Sequence, residues 1–165
     1  GLMFIGKLLA YCAMKRGLNV TWIPSYGPEM RGGKANCTVV ISDEPIGSPV
    51  IGLPEALISM NNPSLEAFEP TLKNGGLLFV DSTLVTRKID RKDIEVVTVP
   101  ADDIAVEVGE KRAANMVMLG AYLARTGIIS ENDVAEGFTE FFGGKTQYLD
   151  VNMKAFEKGM NYVLK

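Results

Sequence analysis

The apolar positions of this chain recur with two periods, the three-to-four spacing of helices and the alternation of strands. Leu2–Arg16 predicts a helix with Leu2, Ile5, Leu9 and Cys12 on one stripe and Met3, Ala10 and Met14 making its other sides apolar too. All-round hydrophobicity of this kind points to burial on several sides, by a partner subunit as well as by the chain's own sheet. Lys15 and Arg16 suit the negative end of the helix dipole, and Gly17 is placed to stop the helix in the left-handed conformation. Val20–Ile23 and Ala35–Ser42 predict strands, the second with Cys37, Val39 and Ile41 on one face and Thr38 and Val40 on the other. Asp43-Glu44-Pro45 reads as a turn and Pro45–Ile51 as an edge strand, because its two prolines suit an edge better than a sheet centre. Pro54–Met60 predicts a further strand.

Asn62-Pro63 is an N-cap with a first-turn proline, and Leu65, Phe68 and Leu72 form the stripe of the helix that follows. Pro70 bends or splits this helix, and Asn74-Gly75-Gly76 ends it. Leu77–Val80 is a continuous apolar run, as in a strand covered on both faces, and Ile94–Val99 is another strand. Between them, Arg87–Asp93 reads as a charged, exposed connection. Asp102–Val108 predicts a short helix with Ile104 and Val108 inward. Arg112–Arg125 predicts a helix with few polar positions, whose Ala114, Gly120, Ala121 and Ala124 allow close packing. Ser130-Glu131-Asn132-Asp133 resembles a capping box before a helix with Val134, Phe138 and Phe141 inward, stopped by Gly143-Gly144. The last helix, about Asp150–Leu164, aligns Leu149, Met153, Phe156, Met160 and Val163. The order of elements is that of a layered α/β domain with a mixed sheet and a helical C-terminal third.

Composition narrows the chemistry. The 165 residues are enough for one domain with a sizeable core, and 47% hydrophobic against 22% charged residues is the balance of a folded globular chain. A net charge of −3 without a basic cluster gives no reason to expect nucleic acid. Histidine is absent, which removes the usual general base and the commonest metal ligand. Two cysteines, Cys12 and Cys37, are too few for a structural zinc or an iron–sulfur cluster; they read as buried free thiols in a reducing cytoplasm, with a single disulfide between them the alternative. No apolar run approaches the ~20 residues that span a bilayer. The chain begins at Gly1 and enters a helix at once, which leads us to expect that residues once preceded it.

One stretch concentrates functional groups: Ser25-Tyr26-Gly27-Pro28-Glu29-Met30-Arg31-Gly32-Gly33, between two strands. Gly27-Pro28 sets a turn, and Gly32-Gly33 permits backbone conformations or close approaches that other residues forbid. Arg31 is the strongest single binding group, since a guanidinium can hold a carboxylate or phosphate by paired charge-assisted hydrogen bonds. The same residues also read as a plain turn whose Glu29 and Arg31 are solvated or paired with neighbours. Asp81-Ser82, at the end of a buried strand, lies where open α/β sheets bind ligands, and reads equally as a strand-end turn. Asn115 sits within an apolar helix and needs a partner for its amide, in the core or at an interface. Neither Ser25 nor Ser82 has a base in view, so a serine hydrolase or transferase ranks last.

The stretch from Ser25 to Gly33 resembles the S-Y-G-P-E-x-R-G-G motif of the gamma subunit, or gamma domain, of 2-oxoacid:ferredoxin oxidoreductases. The resemblance extends through Ala35–Ser42, Pro45-Ile46-x-Ser48-Pro49, Pro100-Ala101 with Ile104-Ala105, and Asn115-Met116-x-Met118-Leu119-Gly120. Members of that family open with a strand and a Gly-Gly-Gln-Gly turn, of which Gly1 would be the last glycine, so the resemblance implies a single gamma domain, residues 1–165, missing that start. It further implies a three-layer α/β/α fold and a cytoplasmic, multi-subunit enzyme of anaerobic and pyruvate metabolism. Such enzymes decarboxylate a 2-oxoacid oxidatively with coenzyme A and pass electrons to ferredoxin. By the same resemblance this chain binds no cofactor itself. Thiamine diphosphate lies on partner alpha and beta subunits and iron–sulfur clusters on others, including a ferredoxin-like delta subunit. Ser25, Tyr26, Gly27, Pro28, Glu29, Arg31, Gly32 and Gly33 then form an interface or coenzyme A-proximal loop, Asn115 is a structural polar group, and the isolated chain is expected to self-associate through its apolar helices. The alternative is a free-standing module binding coenzyme A or another nucleotide.

Overall fold

The structure, a computed structural model, describes residues 1–25, 35–141, 143 and 146–165. Helix α1 (Leu2–Lys15) buries Ile5, Leu8, Leu9, Cys12 and Ala13, and the chain turns at Gly17, whose φ of 81° is the left-handed value expected there. Strands β1 (Asn19–Ser25) and β2 (Asn36–Ser42) pair antiparallel from Asn19↔Ser42 to Ser25↔Asn36, and α1 lies across this ribbon. Gly6 makes that contact possible. A Cβ there would stand 2.5 Å from the Cys37 sulfur, so a larger residue would force that side chain or the helix to shift.

A second, parallel sheet follows, with β3 (Ala56–Ser59), β4 (Leu77–Asp81) and β5 (Glu95–Val99) in that order. Alternation along β4 builds three layers. Leu78 and Val80 face Leu65, Leu72 and Val85 on the side of helix α2 (Asn62–Phe68), while Phe79 joins the larger core formed with the C-terminal helices. The α/β architecture with helices on both sides is thus the one expected, and the mixed strand directions divide between an antiparallel pair and a parallel triple.

Three local expectations differ from the structure. Pro45–Ile51 forms no strand: its two prolines withhold ladder donors and the segment bends at Gly47 and Pro49, with Val50 77% exposed. The cap of α2 is Asn61, whose side chain accepts from the Ser64 N–H at 2.8 Å, and Asn62 instead secures the Thr86-Arg87 backbone by two 3.0 Å bonds. The Arg87–Asp93 connection is anchored rather than merely solvated, because Arg91 donates to the Glu69 and Leu72 carbonyls at 2.8 and 2.9 Å and Arg87 pairs with the buried Glu69 at 2.6 Å. Those carbonyls are available because Pro70 splits the helix into α2 and a 3-10 turn at Glu69–Thr71.

The C-terminal half is helical: α3 (Ala101–Val108), α4 (Ala114–Thr126), α5 (Glu131–Phe141) and α6 (Thr146–Leu164). The capping box forms as read, with the Asp133 N–H donating to Ser130 Oγ at 3.2 Å and the Ser130 N–H to the Asp133 carboxylate at 3.3 Å. Helix α4 corrects a sequence-based expectation. Its apolar surface needs no second subunit, because Met116, Val117, Met118, Leu119, Ala121 and Leu123 are buried within this chain, chiefly by α6 and α3. Helix α1 is likewise covered, by the ribbon on one side and α5 on the other.

The α4–α6 contact rests on two glycines. A Cβ on Gly120 would stand 2.0 Å from the Phe156 carbonyl oxygen, and one on Gly159 equally close to that of Val117. Backbone stands in the way, not the end of a flexible side chain, so the helices would have to separate along their length. Gly120→Ala should therefore destabilise the chain by about 3 kcal/mol, despite alanine's higher helix propensity. Denaturant unfolding measures this, and unchanged or raised stability would contradict a contact this close.

Candidate functional site

Of the residues singled out in the opening strand–loop–strand, Ser25 lies at the end of β1. Tyr26, Gly27, Pro28, Glu29, Arg31, Gly32 and Gly33 lie outside the described residues, as does Gly144. The structure shows the base that carries the stretch. The chain leaves the ribbon at Ser25 and rejoins it at Asn36, two adjacent and paired positions. The ribbon is fixed to α1 by the Trp22 ring, with the Lys7 ammonium 5.7 Å from its centroid, and by Cys37, whose sulfur lies 3.7 Å from the Leu2 carbonyl oxygen.

Burial works against the reactive thiolate form at both cysteines. Both are free, and burial pushes Cys12 up to about 11. Burial raises Cys37 too, with the Trp22 ring N–H opposing it. A thiolate, the reactive and ligating form, is disfavoured at each. Among the described residues no three His, Cys, Asp or Glu side chains gather as a metal would require.

Asn115 joins two helix starts. Its Nδ2 donates to the Gly1 carbonyl at 3.1 Å and its Oδ1 accepts from the Met116 N–H at 2.8 Å, so the beginning of α1 sits on the beginning of α4. Its amide is engaged in the core.

Asp81 ends β4 and is fully buried. Its Oδ1 accepts from the backbone N–H groups of Thr83 at 3.0 Å, Ala101 at 3.1 Å and Asp102 at 3.5 Å, so it caps α3 from across the sheet. Its Oδ2 is buried without a partner among the described residues. Burial raises this carboxyl from its ordinary value, against the three N–H groups that lower it. The arrangement serves helix capping, and Ser82 beside it is exposed.

A feature that sequence reading missed is a groove of about 410 Å³ beside β5, lined by Glu95, Val96, Val97, Thr98, Arg125, Tyr162 and Val163. Arg125 at the end of α4 holds Glu95 by two parallel bonds of 2.8 and 2.6 Å. Three distant segments contribute, so no local motif could have announced it.

The model of the pyruvate ferredoxin/flavodoxin oxidoreductase family matches residues 1–162, nearly the whole chain. The chain belongs to this family. It is 38% identical to ketoisovalerate oxidoreductase subunit VorA of Methanothermobacter thermautotrophicus over 98% of its own length and 34% of that relative's, so it spans about a third of that longer protein. Among solved structures it is similar to the gamma subunit of a keto/oxoacid ferredoxin oxidoreductase from Geobacter sulfurreducens, with TM-score 0.84, 31% identity and coverage of 99% of this chain and 92% of that one. It is also similar to 2-oxoglutarate:ferredoxin oxidoreductase from Magnetococcus marinus, solved with 2-oxoglutarate, coenzyme A and succinyl-CoA, with TM-score 0.85, 26% identity and coverage of 96% and 28%. The family resemblance carried by the sequence motifs therefore holds, and relatives of this family member are subunits of multi-subunit oxidoreductases. Among the described residues no helix is long and apolar enough to cross a membrane.

The Asp81 cap carries a sign that can be measured. A carboxyl whose folded pKa lies above its unfolded one contributes its stability below the unfolded value and loses it as pH rises through the folded value. Asp81→Asn keeps an acceptor for the three N–H groups and removes the ionisation. Thermal unfolding of both proteins from acid to neutral pH should show wild type gaining on the variant as pH falls through the carboxylate range. Parallel curves would mean that Asp81 ionises as freely in the folded chain as in the unfolded one.

Proposed function

We propose that this chain serves as the gamma-type subunit of a 2-oxoacid:ferredoxin oxidoreductase, a single domain that holds no redox cofactor and frames the assembly around the reacting centre. The observation that carries this reading is the correspondence with the Geobacter gamma subunit over 92% of that subunit's length. The chemistry of the chain agrees with it: histidine is absent and burial raises both thiols, disfavouring the thiolate. Oxidative decarboxylation and electron transfer would then occur on partners, thiamine-binding alpha and beta subunits and a ferredoxin-like delta subunit, in the cytoplasm. Coenzyme A enters as a co-substrate, a reading supported by its presence in the Magnetococcus relative. Within this proposal Ser25, Tyr26, Gly27, Pro28, Glu29, Arg31, Gly32 and Gly33 border a partner subunit or the coenzyme A path, with Arg31 the group suited to a carboxylate or phosphate.

The test is affinity purification of the tagged chain from its native host. Partner chains that bind thiamine diphosphate should co-purify, and the complex should reduce a ferredoxin-level acceptor only when 2-oxoacid and coenzyme A are both supplied. A chain that purifies without such partners overturns the proposal. Arg31→Glu should lower turnover or assembly at least about tenfold, the loss of one charge-assisted contact, while circular dichroism of the isolated variant stays unchanged. Loss of the fold in that variant would assign Arg31 to structure. Sub-millimolar coenzyme A binding by the isolated chain, abolished in Arg31→Ala, would favour the free-standing binding module instead.

A further inference from the structure

Among the described residues strand β5 ends the parallel sheet, and its outer side carries main-chain groups with no described strand beside them. The Glu95 N–H donates to Gly76 O at 3.0 Å and the Val99 carbonyl accepts from the Ser82 N–H at 2.9 Å, so residues 95, 97 and 99 turn their main-chain groups toward β4. Val96 and Thr98 turn theirs outward. The devices that protect such an edge are missing: within Glu95–Val99 there is no proline and no lysine. Its one charge, Glu95, is already matched by Arg125. Val96 is 36% exposed, and Tyr162, near the end of α6 beside the same edge, is 43% exposed. The groove runs along this edge.

We propose that β5 is a self-pairing edge through which two copies of this chain join into one continuous six-stranded sheet, with β5 antiparallel to β5 of the second copy about a two-fold axis at Val97. This register is self-complementary. Val96 of each copy falls opposite Thr98 of the other, and both positions face outward, so each pair exchanges two N–H···O bonds and the interface gains four. Val97 meets Val97, and Glu95 lies opposite Val99, so no like charges are brought together. Pro100, with no N–H, ends the ladder at its far side. The two-fold leaves α6 of both copies on the same face of the sheet, where Tyr162 of each flanks the junction. A second copy is favoured over an unrelated peptide because one short strand supplies both halves of the pattern, β-branched at all four positions after Glu95. The inference stands on this edge alone and does not depend on the assignment to an oxidoreductase complex.

Sedimentation of the full 165-residue chain across concentration, with hydrogen exchange read at single amides, tests it. The wild type should form a concentration-dependent dimer in which the Val96 and Thr98 amides are protected, and dilution should release both. Thr98→Pro removes one outward N–H from each copy while leaving the bonds to β4 intact, as proline on an outer strand allows. With two of four bonds gone, dimerisation should weaken about thirtyfold. Val96→Lys should weaken it independently by placing like charges at the seam, which keeps the test decisive if the proline variant unfolds. A wild-type chain that stays monomeric, or a dimer unaffected by Val96→Lys with freely exchanging Val96 and Thr98 amides, overturns the proposal.

Discussion

Everything in this fold is arranged around the place where α4 and α6 touch backbone to backbone. Gly120 and Gly159 remove the side chains that would otherwise hold the two helices apart, and each Cα then faces the other helix's carbonyl. That depth of contact buries α4 on every side and places Phe156 and Ala155 in the same core as Phe79 of the central strand. It also decides where α6 ends, and with it where Tyr162 and Val163 meet the outer edge of β5. Close packing makes such a contact cooperative: a separation of the two helices cannot be confined to one turn.

The second organising element is the set of helix starts that the strands and the core supply with acceptors. Asp81 reaches across the sheet to the beginning of α3, and Asn115 ties Gly1 to the beginning of α4. Both are polar groups in the interior, and hydrogen bonding within the chain occupies the Asn115 amide and one oxygen of Asp81. Polar residues engaged in this way hold elements in register. The α1 helix and the ribbon add to the same picture, since the Trp22, Cys37 and Gly6 contact positions two adjacent strand ends, and burial raises the Cys37 thiol.

The family was legible because the motif at Ser25–Gly33 is specific. The family match over residues 1–162 agrees with that reading. The layered α/β order was legible too, since periodicity reports which side of an element is apolar. Helix stops at Gly17 and the capping box at Ser130 and Asp133 were readable from single residues, because each depends only on its own neighbours.

The sequence by itself therefore determined the elements, the class of fold and the family. Tertiary structure alone decided what covers the apolar helices. A helix apolar on all sides must be covered, and composition does not distinguish a cover from the same chain from one on a partner, so α4 read as an interface until α6 was seen to close over it. For the same reason the outer edge of β5 was invisible: a strand shows its residues in sequence but not its neighbours. Whether Val96 and Thr98 find a strand beside them depends on the order of strands in the sheet, and that order arises from packing between segments far apart in the chain.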